Sequence, residues 1–276
     1  MAGAYHLRIR PSTGFVGPDF AECWNFRGLL AALAVRDIKL RYRQTALGVA
    51  WVILQPLLAS GVLAFVFGTI AGVTKPGRSS VFIFVLGGFI GWTLFSATCT
   101  RASQSLLQHS MLISKVFFPR LILPASAAVS GLLDAGVGLA FFVLLRLLNG
   151  PSFGLEIITL PIWLAFLLIF ALGIGLISAA LSIRYRDVQH ITPVFIQLLF
   201  YASPVAYQTA AVPEKWRGFF SLNPLVPLFE GLRWSLLGEG VVRLSAVLYL
   251  LFVALLVLVL GLLLFRRAER EFADVI

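Results

Sequence analysis

After Arg43 the chain carries no charged side chain until Lys75, a gap of 31 residues. A helix needs about 20 apolar residues to cross the hydrocarbon of a bilayer, and in that medium a single segment can satisfy its own backbone groups only as a helix. Six stretches meet the length requirement: Leu47–Val73, Val81–Thr100, Leu121–Leu145, Ile157–Ile183, Val188–Ala211 and Leu244–Phe265. Only the third holds a charged residue, Asp134. The chain of 276 residues is 59% hydrophobic and 12% charged, against about 25% charged in soluble domains. The expectation is an all-α integral membrane protein with six transmembrane helices per subunit.

An even number of crossings leaves both termini on one side of the membrane. Alternate loops on that side hold 15 of the 22 Lys and Arg residues, so the positive-inside bias places both termini in the cytoplasm. That bias accounts for the basic net charge, and no basic block with interleaved aromatics lies in a soluble stretch, so nucleic acid is not expected as a partner. Residues 1–28 lack an apolar core and include Pro11, Gly14, Gly17 and Pro18, so a cleavable leader is not expected. Cys23 and Cys99 fall before the first span and inside the second, which favours neither a disulfide nor a metal site.

Two segments outside the spans have their own character. From Leu29 to Arg43, helical spacing brings Leu29, Leu33 and Leu40 onto one stripe with Arg36, Lys39 and Arg43 beside it. This pattern suits an amphipathic helix lying in the interface, its leucines at the acyl boundary and its basic stems reaching towards head groups; a solvated basic tail is the plainer alternative. Between the last two spans, Val212–Gly240 is apolar yet interrupted by Pro213, Pro224, Pro227 and Glu230. Two short helices that re-enter the outer leaflet fit it, with the turn around Asn223 and Pro224 buried against protein; an interfacial hairpin is the alternative.

Enzymatic chemistry has little to stand on. His6, His109 and His190 are isolated, and Asp134 has no second acid near it in sequence. An intramembrane acid is costly, so Asp134 either meets substrate in a pore or bonds Ser130 one helical turn away. No G-x-x-x-x-G-K-[ST] stretch is present, so nucleotide phosphates must be held by another chain if ATP supplies the energy. Such a partner would push on cytoplasmic loops, and two qualify: Ser103–Arg120 and Arg184–Asp187.

The stretches Arg36–Trp51, Gln55–Pro56, Lys115–Arg120, Arg184–Val188, Ser203–Val205 and Leu222–Leu225 together resemble the signature segments of ABC-2-type permeases of polysaccharide exporters, the O-antigen and teichoic acid group. The resemblance extends in order from about Phe26 to Phe265. It implies a homodimer bound to two separate ATPase subunits that hold ATP and Mg, with no cofactor in this chain, exporting lipid-linked polysaccharide across a bacterial inner membrane. It further implies the organisation 1–25 N-terminal cytoplasmic segment, 26–46 interfacial helix and gate, 47–265 transmembrane domain and 266–276 cytoplasmic tail. Residues 1–25 match none of the motifs, and their role stays open. ATPase coupling would fall to Lys115, Phe118, Pro119 and Arg120 in one loop and to Arg184, Tyr185, Arg186 and Asp187 in the other.

Substrate contacts can be placed on chemistry as well. A lipid-linked glycan carries a phosphate or pyrophosphate at its lipid junction, and Arg36, Lys39, Arg41 and Arg43, with Tyr42 among them, form the basic cluster at the depth where it arrives. Sugar ring faces stack on aromatics, which makes Trp51, Phe65, Phe67, Phe89, Trp92, Phe95, Phe200, Tyr201 and Tyr207 candidates for a path, together with Asp134; some of these aromatics are expected to face lipid instead. An ABC-2-type exporter of a small hydrophobic compound or drug is the alternative function.

Overall fold

The computed structural model describes residues 20–43, 45, 47–72, 79–113, 115–149, 153–240 and 242–275. The sequence-read segment 1–25 falls largely outside these residues, as do Lys75, Arg78 and parts of the gate. The described residues form eleven α-helices: α1 (Phe20–Asn25), α2 (Arg27–Tyr42), α3 (Trp51–Ala64), α4 (Val81–Gln108), α5 (Ser110–Ile113), α6 (Ile122–Asn149), α7 (Leu160–Arg184), α8 (Val188–Tyr201), α9 (Glu214–Phe220), α10 (Leu225–Leu237) and α11 (Leu244–Val275). Gly48, at φ +51, makes the left-handed step between α2 and the 3-10 turn that opens α3. A π-helical segment, Phe65–Ile70, extends α3 at its far end.

Among the described residues five helices are long and apolar enough to cross a membrane, not six. The fifth sequence stretch, Val188–Ala211, is split: α8 stops at Tyr201 after 14 residues, and turns through Ser203 and Pro204 follow. At 1.5 Å per residue α8 covers about 21 Å, short of the roughly 30 Å of hydrocarbon. The chain then uses α9 and α10 before the last span. Of the 13 residues of α10, all but Glu230 and Trp234 are buried, so this helix inserts among the spans and does not float at a surface.

The motif stretches around residues 203 and 223 meet here. Asn223 donates its side-chain amide to Ala202 O at 2.9 Å and Ser203 Oγ at 3.1 Å, while its carbonyl accepts the Leu225 N–H at 2.9 Å. Arg233, enclosed on α10, donates to Pro204 O at 2.6 Å and lies 3.8 Å from the centroid of the Phe84 ring. Thus the broken crossing and the inserted helix are fastened through their irregular backbone, which apolar surroundings would otherwise leave unpaired.

Three apolar clusters stack along α4, the most buried span. The middle one joins Trp92 and Phe95 to Trp163, Phe170, Leu228 and Phe229; the one at the α2 end gathers Leu33, Leu106, Phe118, Ile122 and Phe265; the opposite one gathers Phe84, Leu86, Phe142 and Leu236. Since lipid is as apolar as leucine, close approach of the spans depends on small residues. A Cβ on Gly173 of α7 would lie 2.8 Å from the backbone of Val257 and Leu258 on α11, and one on Gly261 of α11 would lie 2.7 Å from Gly173 O.

Several charges assigned to loops lie inside the protein. Arg146 is 3% exposed, donating to Ser79 Oγ at 3.0 Å and Leu237 O at 3.2 Å, while the Ser79 N–H donates to Glu239 at 2.9 Å. Arg233 is 7% exposed. These guanidiniums stitch segments together, and neither offers a charge to head groups. Helix α2 also departs from a free interfacial helix: Leu33 and Ala34 are buried in the bundle, whereas Leu40 is exposed.

Candidate functional site

Four elements converge on a cavity of about 510 Å³. Along α3 the residues Trp51, Val52, Gln55 and Pro56 face it, a spacing that one side of a helix dictates. Thr93, Ser96, Ala97, Thr100 and Arg101 do so from α4, and Gly131, Asp134, Ala135 and Gly138 from α6. The end of α2 closes it with Arg41 and Tyr42. The glycines at 131 and 138 flank the single carboxylate of that face and let α6 approach α4, where a Cβ would meet Thr98 and Leu94 at Gly131 and Ile90 at Gly138.

Asp134 is the electrostatic centre of the cavity. Its Oδ2 is ion-paired with Arg41 and accepts from Arg101 Nη2 at 3.2 Å, and its Oδ1 accepts from the Tyr42 hydroxyl at 3.2 Å. Arg101 reaches Ser130 Oγ with its other branch at 3.0 Å. Of the two sequence readings of Asp134, the direct bond to Ser130 is replaced by one routed through Arg101. Two guanidiniums against one carboxylate leave an excess positive charge, and all three side chains stay 21–29% exposed towards the cavity. Burial, ahead of the neighbouring charges, raises the Tyr42 phenol above its ordinary value, so it remains a hydroxyl that donates to Asp134.

The other members of the basic cluster part company. Arg36 pairs with Asp37 at 3.1 Å and with His109 at the end of α4. The His109 Nδ1–H donates to Ser105 O at 2.8 Å, which leaves Nε2 to accept from Arg36. Lys39 and Arg43 are exposed. Arg101, one residue beyond the second apolar stretch Val81–Thr100, belongs to the cavity. The available signal was that an acid inside an apolar span calls for a basic partner at the same depth.

Residues 28–237 match the family described as ABC-2 type transporter. The chain belongs to the ABC-2 type transporter family. It is 26% identical to an O-antigen export system permease protein RfbA of Klebsiella pneumoniae over 249 residues, 90% of this chain and 95% of that one. Identity to an RfbA of Myxococcus xanthus is 30% over 209 residues, 75% and 79% of the two chains. Identity to the polysialic acid transport protein KpsM of Escherichia coli is 27% over 243 residues, 86% and 92%.

In this ABC-2 protein the aromatic candidates separate into distinct environments. Phe89, Trp92 and Phe200 line a second, more open hollow of about 340 Å³ with Pro193, Ile196 and Gln197. Phe200 is the hub, 6.3 Å from Phe89, 5.2 Å from Trp92 and 5.4 Å from an exposed Tyr201 by ring centroids. Trp51 belongs to the charged cavity. Phe95 is fully enclosed, stacked on Phe170, and presents no face to a path in this conformation. Phe65 is exposed on the π-helical end of α3. Tyr207 packs between Phe67 and Phe220.

The coupling candidates divide too. Phe118 is buried in the cluster at the α2 end, with Pro119 half-buried beside it. Arg120 donates to Glu269 O on α11 at 2.6 Å. Exposed at this end are Lys115, Val116 and Phe117, and the turn Arg184, Tyr185, Arg186 and Asp187.

Proposed function

We propose that this chain is the membrane-spanning permease of an ABC exporter that moves lipid-linked, O-antigen-like polysaccharide out of the cytoplasm. It works as a homodimer with two separate ATPase subunits, which hold ATP and Mg. The polypeptide crosses the inner membrane six times, the fifth crossing being supplied by α8 and the turns that follow it, with both termini in the cytoplasm. The exposed turn Arg184–Asp187 and the segment Lys115–Phe117 receive the ATPase.

The observation that carries this reading is the cavity itself. Its two guanidiniums suit a phosphate or pyrophosphate joining lipid to sugar, because each offers a planar fork to anionic oxygens. The aromatic hollow around Phe200 suits the weak, repeated stacking that a moving sugar chain requires. A small hydrophobic drug would gain nothing from the ion-paired floor of the cavity, which disfavours that alternative.

The test is co-expression with the cognate ATPase in a host lacking its own permease. Surface glycan should return, with export abolished by an ATPase unable to hydrolyse ATP. Drug resistance without surface glycan would replace the polysaccharide reading by the alternative.

A further inference from the structure

We infer that Asp134 is a built-in counter-anion that occupies the phosphate site of the resting permease and is displaced when a phosphate-bearing lipid arrives, with Arg101 supplying the second guanidinium of that site. This rests on the proposed phosphate-bearing substrate and adds to it the way the site is kept closed and released.

The geometry supports exchange over a permanent structural bridge. A carboxylate and a phosphate present similar anionic oxygens to a guanidinium, so each can replace the other. Asp134 collects donors from two other elements, Arg41 and Tyr42 at the end of α2 and Arg101 in α4. It therefore links the end of α2 across the cavity to two spans. The carboxylate and both guanidiniums keep 21–29% of their side-chain surface open, so a ligand within the cavity can reach them without unfolding anything. Arg101 has Ser130 as a second partner and need not lose its position when the carboxylate swings away. Gly131 and Gly138, one turn to either side of Asp134, line the cavity with it, so the carboxylate stands within the space of about 510 Å³ that an incoming group would enter.

Exchange has consequences that a merely structural ion pair does not. Removing the internal anion should make the site bind phosphate more tightly and release it more slowly, so affinity and transport move in opposite directions. The experiment uses the permease–ATPase complex in phosphatidylcholine nanodiscs, with a polyprenyl pyrophosphate lacking sugar as the probe, the matching polyprenol as control and inorganic pyrophosphate as competitor.

Asp134→Asn should bind the pyrophosphate lipid roughly tenfold more tightly than wild type while exporting less glycan. Tyr42→Phe removes one donor to the Asp134 carboxylate together with the hydroxyl that accepts from Arg41 Nη1 at 3.4 Å, keeps both guanidiniums in the chain, and should tighten binding about two- to threefold. Arg101→Gln should weaken binding by roughly tenfold, and Asp134→Glu should stay near wild type. Should Asp134→Asn fail to fold, Tyr42→Phe decides the matter alone. Unchanged or weaker binding in the folded variants Asp134→Asn or Tyr42→Phe overturns the exchange, while the phosphate reading survives if wild type still prefers the pyrophosphate lipid to polyprenol. Equal binding of those two lipids by wild type removes the phosphate reading and the exchange with it. Displacement by inorganic pyrophosphate assigns recognition to phosphate alone, and its failure to displace assigns it to the lipid-borne form.

Discussion

Reversing Arg120 and reversing Arg186 should injure the transporter in different ways, because one residue fastens the subunit internally and the other faces outward. Arg120 lies just before α6 and donates to the backbone carbonyl of Glu269 at 2.6 Å, with its Nε 3.8 Å from the Glu269 carboxylate. It thereby joins the start of α6 to the last turns of α11 beside the cluster containing Phe118, Ile122 and Phe265. A hydrogen bond from a charged donor contributes about 1.5–3 kcal/mol, and a partly exposed ion pair adds at most about 1 kcal/mol. Arg120→Glu loses both and sets a carboxylate against another carboxylate and a carbonyl, so a loss of about 2–4 kcal/mol follows. For a chain of this size each kcal/mol moves a thermal midpoint by about 2–4 °C, which predicts a fall of roughly 5–15 °C. Arg186 is exposed, and its reversal should change stability by no more than about 0.5 kcal/mol. The assay is the thermal midpoint of each purified complex beside surface glycan at matched membrane levels. Arg120→Glu should lower both quantities, whereas Arg186→Glu should lower export alone. An Arg120→Glu protein that melts with wild type would refute the internal tie, and full export by Arg186→Glu would remove that turn from the ATPase contact.

Arg41→Lys should reduce substrate-stimulated ATPase activity several-fold, because lysine lacks the fork that meets Asp134 and phosphate, while exposed Arg43→Lys should remain near wild type; equal activities would leave the cluster as a lipid anchor. Gly173→Ala should destabilise by about 1–3 kcal/mol, since its Cβ would lie 2.8 Å from the backbone of α11, whereas Gly136→Ala meets nothing within 4 Å and should be neutral or stabilising; detergent melts that rank the pair the other way would refute the α7–α11 packing. The permease purified without its ATPase should neither bind nor hydrolyse ATP, and turnover by the contaminant-free chain would overturn the division of labour.

Much of the architecture could be read along the chain because lipid imposes a local rule. Each apolar run must satisfy its own backbone, so the lengths of Val81–Gln108 or Leu244–Glu269 announce helices without reference to any neighbour. Prolines 213, 224 and 227 marked a segment too interrupted to span, and Asn223 and Pro224 marked its turn; the structure agrees, with Asn223 bonded to Ala202 and Ser203. The stretch Val188–Ala211 failed as one long helix because Ser203 and Pro204 turn the chain, and hydropathy averages over a turn made of small apolar residues.

What tertiary structure alone decided is which side chains meet. Arg41 and Asp134 are 93 residues apart, Arg101 and Asp134 are 33 apart, and only the crossing of α2, α4 and α6 brings them together. The same holds for the aromatics: nothing in the local sequence separates Phe95, enclosed against Phe170, from Phe200 beside an open hollow. Burial of an apolar ring in a membrane protein costs little against leaving it in lipid, so composition is blind to that choice. A carboxylate cannot be left alone there, and that requirement made Asp134 conspicuous in the sequence, although its partners became visible only once the helices were packed.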